Sequence, residues 1–430
     1  MDYKKCKNCL NCLLCPITDT IETEGALPIV QKQGNIWYCS SCFYCEDVCP
    51  VFSPRQNAIN IRRLNQRENA PTYDSLQKIK ANGTIFPLTV SIISLRNELN
   101  LPSLPKANLK EIEIFYDFII KNENNTELEK EYKKAIIPFT IKFPKIQDEE
   151  KFALFLGCLI PYRVFEYELS SRNLLEKLGI KCSDLPFICC GSIFTESFSQ
   201  DLWLAFAAYN LALAEEKNYD TIITLCGGCT GNLRRANKLL LDDKKLLDRI
   251  NIYLNKIGKN YNGKVKVEHI SEFLNREQIK TKLLNEIDKE KLKKLGNLEV
   301  AAQVPCQIIR PKLSSPNANS NPDLLIDLLK LTGLKVQRFP FETLCCGSSL
   351  LPFNKKIAYN IAKKRIDSLK KKNIDALIIA CGNCSMNYIV YQGEYNTKIL
   401  PVFFLTEILD FAMSSSNTFL MKLIQQKKPL

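Results

Sequence analysis

Ten cysteines form one constellation written twice. It runs Cys158, Cys189-Cys190-Gly191 and Cys226-Gly-Gly-Cys229, then Cys306, Cys345-Cys346-Gly347 and Cys381-Gly-Asn-Cys384. The gaps nearly agree, with 30 and 35 intervening residues in the first copy and 38 and 34 in the second. A repeat on this scale marks a repeated structural unit. Clustered soft thiolates favour iron–sulfur chemistry or zinc. We read each copy as a half-domain presenting five thiolates to one metal–sulfur centre. The alternative, two tetrahedral zinc sites at Cys226/Cys229 and Cys381/Cys384, leaves the Cys-Cys-Gly elements unexplained.

Eight more cysteines lie in residues 1–60, as Cys6-x2-Cys9-x2-Cys12-x2-Cys15-Pro16 and Cys39-x2-Cys42-x2-Cys45-x3-Cys49-Pro50. This is the spacing of two-cluster bacterial-type ferredoxins, in which the fourth cysteine of each run serves the other cluster. By that rule Cys6, Cys9, Cys12 and Cys49 hold one [4Fe–4S] cluster, and Cys39, Cys42, Cys45 and Cys15 the second. The first run departs from the pattern, with x2 before Cys15 where x3 is usual. Two four-cysteine zinc ribbons are the alternative, and the repeated x2 spacing ending in Cys-Pro argues against them. The remaining cysteine, Cys182, reads as a small core residue.

The 430-residue chain is long enough for two or three domains, and its composition is that of a globular protein, 46% hydrophobic and 24% charged. The cysteine motif begins at once, leaving no room for an export signal, and no apolar run approaches the ~20 residues that span a bilayer. A cytoplasmic location is expected, with any membrane association peripheral and through a partner. In that compartment dense cysteine means metal or redox chemistry. One histidine in the whole chain excludes haem and histidine-rich metal sites. The net charge of +13 is spread over helical lysines without an arginine-rich stripe, so nucleic-acid binding is not expected.

Strands and helices must position these thiols. Residues 51–150 read as helices broken at Pro71, Pro87, Pro102, Pro105 and Pro138. Residues 151–157, 220–225, 298–303, 334–339 and 375–380 read as buried strands. Helices are expected from Arg163 to Leu178 with Gly179 as C-cap, from Ser199, through Leu233–Leu241, from Asp323 to Leu331, and in the lysine-rich stretch before Asp375. Residues 242–297 read as charged and mostly helical. The predicted fold class is α/β: an α-rich ferredoxin-like domain (1–150), then two pseudo-symmetric half-domains (151–297 and 298–430) with mainly parallel sheets. Cys158, Cys226, Cys306 and Cys381 fall where strands end, the usual place for sites in such sheets.

These residues resemble the heterodisulfide reductases of methanogenic archaea. Phe-Leu-Gly-Cys158, Cys-Cys-Gly191, Cys-Gly-Gly-Cys-Thr-Gly231 and Val-Glu-His269 look like the catalytic B subunit, and Trp37-Tyr-Cys39 to Cys49-Pro50 like the ferredoxin-like C subunit. Both in one chain resembles the fused D-type subunit. The resemblance implies that each five-cysteine set binds a non-cubane [4Fe–4S] cluster, and that a disulfide of the coenzyme M–coenzyme B kind is cleaved between the two. The double Cys-Cys-Gly pattern is shared by iron–sulfur subunits of glycerol-3-phosphate, glycolate and succinate/fumarate oxidoreductases. Where the family commonly has Cys-His and then lysine, this chain has Cys306-Gln307 and Arg310, and Gly-Ser-Ser-Leu-Leu follows Cys346. Arg163 and Arg310 are candidates for holding an anionic substrate group, and equally ordinary surface arginines. His269 reads as structural.

The expected function is thus an iron–sulfur oxidoreductase reducing a small disulfide. The alternatives are an electron-transfer subunit passing electrons from a flavin dehydrogenase to quinone, or a sulfur-oxidising complex of the same family running in the opposite sense. A cytochrome b or flavin subunit is the implied partner.

Overall fold

The structure, a computed structural model, describes residues 15–21, 25–26, 28, 34–49, 53–65, 71–122, 150–288, 298–312, 323–394 and 399–413. Two four-stranded, wholly parallel sheets dominate it. The first contains β1 (Phe152–Phe155), β2 (Cys182–Asp184), β3 (Thr221–Thr224) and β4 (Lys266–His269), in the order β2-β1-β3-β4. The second contains β5 (Glu299–Gln303), β6 (Lys335–Gln337), β7 (Ala376–Ile379) and β8 (Val402–Phe404), in the order β6-β5-β7-β8. The two orders are the same, so the cysteine repeat is a repeat of fold.

The central strands are buried on both faces, as expected of parallel strands covered by helices. Ser199 starts the helix Gln200–Glu216, its side chain accepting the Leu202 N–H at 2.9 Å. Gly179 takes φ +70° after the helix Phe165–Lys177 and Gly333 φ +73° after Leu324–Lys330, the left-handed conformation that ends a helix. The structure differs from expectation at one helix start, and it adds two edge strands that were not expected, β2 and β8. The helix expected from Arg163 starts at Phe165, separated by the non-helical Val164 from a short helix Ile160–Arg163. Residues 242–288 are mostly helical, as expected, and the short run before His269 is β4, which completes the first sheet.

The pseudo-symmetry extends to the packing of one half on the other. Helix Phe165–Lys177 lies against helix Leu405–Met413, with Ser170 Oγ and Thr406 Oγ1 2.7 Å apart. The mate of that contact sets helix Ile270–Leu274 against helix Leu324–Lys330, with Asn275 Nδ2 donating to the Leu324 carbonyl at 2.9 Å.

The N-terminal region is helical: Tyr44–Val48, Pro54–Leu64, Tyr73–Asn82, Val90–Glu98 and Leu109–Asn122. The breaks at Pro71, Pro87, Pro102 and Pro105 fall between these helices; Pro138 lies outside the described residues. The architecture is therefore the predicted one, a helix-rich region followed by two parallel-sheet units. Among the described residues no helix is long and apolar enough to cross a membrane.

Candidate metal–thiolate centre

In each sheet the chain crosses from one side of the first strand to the other, so the switch point lies between β1 and β3, and between β5 and β7. Cys158 and Cys226 follow the ends of β1 and β3, and Cys306 and Cys381 follow β5 and β7. The Cys-Cys-Gly loops join them, and ten thiols meet as one row. In the first half Cys158 lies against Cys189, which adjoins Cys190. Cys190 Sγ lies 3.6 Å from Cys229 Sγ, and Cys229 adjoins Cys226. The row then crosses to the second half, with Cys226 Sγ 3.8 Å from Cys381 Sγ. It continues through Cys384, Cys346 and Cys345 to Cys306. The order is palindromic, each cysteine meeting the counterparts of its mate's neighbours.

Glycines bring the halves this close. A Cβ on Gly227 would stand 2.5 Å from Pro305 Cβ, beside Cys306. One on Gly382 would stand 3.1 Å from Ile160, beyond Cys158. Gly228 and Asn383, inside the two Cys-x2-Cys turns, face each other. A matched pair of asparagines fixes the Cys-Cys loops: Asn232 Nδ2 donates to the Cys190 carbonyl at 2.5 Å and Asn387 Nδ2 to the Cys346 carbonyl at 2.7 Å. Each lies six residues after the first cysteine of its Cys-x2-Cys turn. Trp203 Nε1 donates to Asn232 Oδ1 at 2.6 Å, which orients that amide.

Hydrogen bonds between thiols lower some members of the row and raise others. Hydrogen bonds from Cys189 and Cys229 pull Cys190 down to about 6. Those from Cys226 and Cys384 hold Cys381 well below the usual thiol range, and those from Cys345 and Cys384 do the same for Cys346. Cys158 and Cys306 are raised, first by sharing their protons with Cys189 and Cys345 and then by burial.

The N-terminal region adds a further thiol group at one end. Cys15, Cys39, Cys42 and Cys45 line a small cavity with Phe43 and Arg55. Cys42 reaches the second half and lies against Cys345. The docking is polar. Gln307 Nε2 donates to the Ser41 carbonyl at 3.2 Å, and Ser349 Oγ to the Ser40 carbonyl at 2.6 Å. Arg55 donates to Ser41 Oγ at 2.6 Å and pairs with Glu196, which also takes Arg235 at 2.6 Å. The opposite end of the row, at Cys158 and Cys189, meets other partners: the Cys189 N–H donates to the Gly83 carbonyl at 2.7 Å, and Tyr162 lies beside both thiols.

All ten cysteines of the repeat are thus brought together, as are Cys15, Cys39, Cys42 and Cys45. Cys6, Cys9 and Cys12 lie outside the described residues; Cys49 is half-buried at the end of helix Tyr44–Val48. Cys182, in edge strand β2, is half-buried apart from every set, and burial pushes its thiol up to about 12. Arg310 donates to the Thr343 carbonyl at 2.6 Å, stacks 5.1 Å from the Tyr44 ring centroid and lies 3.8 Å from Asp47. Its place is in the docking of the N-terminal region. Arg163 is exposed and stacks over Phe86, 5.0 Å from the ring centroid. Sequence reasoning singled out neither Tyr167 nor the place of His269, both buried where the halves meet; only the fold brings them to Cys381.

The donor set fits iron–sulfur clusters. Every cysteine among the described residues is a free thiol, and the ten of the repeat and Cys15, Cys39, Cys42 and Cys45 have other thiols as their neighbours.

Comparison with known proteins agrees. The cysteine-rich (CCG) domain matches residues 152–234 and 300–388. The chain is 30% identical over 277 residues to the B subunit of ferredoxin:CoB-CoM heterodisulfide reductase from Methanosarcina mazei, covering 62% of this chain and 90% of that one. It is 27% identical over 274 residues to the 8-methylmenaquinol:fumarate reductase membrane anchor subunit of Wolinella succinogenes, covering 62% and 93%. An uncharacterized iron-sulfur protein of Methanococcus maripaludis is 23% identical over 387 residues, covering 87% and 62%. A hypothetical protein from Helicobacter pylori shares the fold, with a TM-score of 0.51 at 16% identity over 93% of this chain and 78% of that one. The chain belongs to the CCG-domain family of iron–sulfur oxidoreductases that includes the B subunits of heterodisulfide reductases.

Proposed function

We propose that the chain is a fused, D-type disulfide reductase, with residues 1–150 as the ferredoxin-like part and 151–297 and 298–430 as the two halves of the reducing part. Its substrate is a small heterodisulfide of the coenzyme M–coenzyme B kind. In this reading Cys158, Cys189, Cys190, Cys226 and Cys229 hold one non-cubane [4Fe–4S] cluster, and Cys306, Cys345, Cys346, Cys381 and Cys384 the other. Cys39, Cys42, Cys45 and Cys15 hold a cubane cluster, and Cys6, Cys9, Cys12 and Cys49 a second. When bound, the clusters supply one-electron steps and iron that accepts sulfur.

The observation that carries the reading is the unbroken row of thiols, with Cys42 of the N-terminal region against Cys345 and Cys226 against Cys381. A disulfide takes two electrons, one from each of two equivalents of a reduced one-electron donor; its S–S bond breaks, and the two thiolates take two protons from solvent. Ordinary exchange would instead leave a mixed disulfide on an attacking thiolate, which requires an accessible cysteine. The central cysteines are buried and occupied with one another. The chain's own groups hold the row in register through Asn232 and Asn387, and keep the N-terminal thiols against it through Gln307, Ser349 and Arg310.

A second reading is electron transfer on behalf of a flavin dehydrogenase. It is favoured by Gln307 where the family commonly has histidine, and by the named role of the Wolinella relative in a fumarate reductase. Anaerobically purified protein with reduced viologen separates the two. Rapid dye oxidation on adding the coenzyme M–coenzyme B disulfide is the expected result. Four intact clusters without turnover of any disulfide, and co-purification with a flavoprotein, would transfer the assignment to the second reading.

A further inference from the structure

The two halves repeat each other closely, yet the site where they meet is not symmetric. Register pairs Thr224 with His269 across β3 and β4, and Ile379 with Phe404 across β7 and β8. The following helix caps both residues alike. The His269 N–H donates to Glu272 Oε2 at 2.8 Å and the Phe404 N–H to Glu407 Oε2 at 2.7 Å. An imidazole in the first half therefore stands where the second half has a phenyl ring.

Both His269 and Tyr167 are fully buried, at 0% exposure. The Ser271 N–H donates to His269 Nδ1 at 3.2 Å and Ser271 Oγ lies 2.7 Å from the same nitrogen; with Nδ1 accepting from both, the imidazole proton is on Nε2. Nε2 has no hydrogen-bond partner. It lies beside the Ala380 backbone, without hydrogen-bond geometry, and the Cys381 thiol is a charged neighbour of the imidazole. The Tyr167 ring stacks on Phe404, with centroids 4.0 Å apart and planes at 7°. The Tyr167 hydroxyl is likewise unpartnered, and Cys381, Cys226 and Cys384 are the charged neighbours it feels. A buried polar group left without a partner costs free energy, so two of them that share Cys381 as a neighbour mark a candidate donor site.

We propose that the His269 Nε2–H and the Tyr167 hydroxyl donate hydrogen bonds to sulfur at Cys381 in the cluster-loaded protein, and that Phe404, the mate of His269, leaves Cys226 without the counterpart of that imidazole. The two centres are then unequal. Hydrogen bonds to cluster sulfur raise reduction potential, so the centre held by Cys306, Cys345, Cys346, Cys381 and Cys384 is reduced first. That is the centre against which Cys42 lies. His269 and Tyr167 are positioning residues for electrons, and the inference rests on the cluster-bearing function proposed above.

The test is an EPR-monitored redox titration of the anaerobic, cluster-loaded chain, with Cys158→Ser used to assign the signal of the first half. Tyr167→Phe keeps the ring on Phe404 and removes only the hydroxyl. His269→Asn keeps an N-cap that can accept the Ser271 N–H while withdrawing the donor from Cys381. Each is expected to make one-electron reduction of the second-half centre about tenfold less favourable, about 59 mV lower, with the first-half centre unmoved. Loaded variants in which neither potential moves, or both fall together, overturn the proposal. If His269→Asn fails to load, Tyr167→Phe alone decides. A parent chain without iron and acid-labile sulfide overturns the underlying function and this inference together; clusters present with unmoved potentials overturn this inference alone.

Discussion

Burial pushes the Glu196 carboxyl up, but Arg235 and Arg55 outweigh it and hold it well below the usual carboxylate range. Its stabilising contribution is present above the unfolded carboxylate value of about 4.3 and is lost as pH falls below it. Glu196→Gln leaves two guanidinium groups without their counter-charge and is expected to cost about 3–5 kcal/mol at pH 7, with the deficit shrinking below about pH 4, by urea unfolding. Glu407 behaves oppositely. Burial pushes it up to about 7 although it accepts the Phe404 N–H. Its mate Glu272 has Arg234 beside it at 2.9 Å. Holding Glu407 protonated favours the fold most below about pH 4, and that advantage is lost as pH rises towards 7. Glu407→Gln keeps an acceptor without the charge, so it is expected to be about 1–3 kcal/mol more stable than the parent at pH 8 and equal to it at pH 4. At this scale the cysteines were legible because spacing alone exposes them. Tyr167 and His269 were not, because their neighbour Cys381 lies far along the chain and in the other half. Arg310, a substrate candidate from its place after Cys306, turned out to touch Tyr44 and Asp47, which no local pattern announces.

Strand ends and helix starts set how closely the two cysteine sets approach. The Gly227–Pro305 contact leaves no room for a methyl group, and a proline ring cannot turn aside. Gly227→Ala is therefore expected to destabilise by about 1–3 kcal/mol through overpacking and to separate Cys226 from Cys381. Thermal unfolding and the iron content of the purified variant check this. Asn387→Ala removes the donor to both Cys346 and Ala358 carbonyls and is expected to cost about 1–3 kcal/mol, since those buried acceptors lose their partner. The strands before the cysteines were readable as short apolar runs between turn signals, and the two left-handed glycines as helix ends. The break at Val164 was not readable, because Ile160–Arg163 and Phe165–Lys177 have continuous helical spacing. β4 was legible as a short strand-like run before His269, inside a charged, helix-rich stretch.

On the scale of the molecule, repetition gave the sequence its clearest signal, and the identical strand orders follow from it. What repetition could not show is how the copies face each other, or which one the N-terminal region touches. Both depend on polar contacts between residues hundreds of positions apart, such as Gln307 with Ser41 and Ser349 with Ser40. Removing both donors in a Gln307→Ala, Ser349→Ala double variant is expected to cost about 1–3 kcal/mol of docking. Viologen-driven disulfide reduction should fall in that variant while its cluster content stays that of the parent. The central claim is that one row of thiols carries clusters from the N-terminal region through both halves. Iron and acid-labile sulfide in the anaerobically purified chain test it most directly. Four clusters per chain is the result predicted here; zinc in place of iron, or sulfide well short of four clusters, would contradict it.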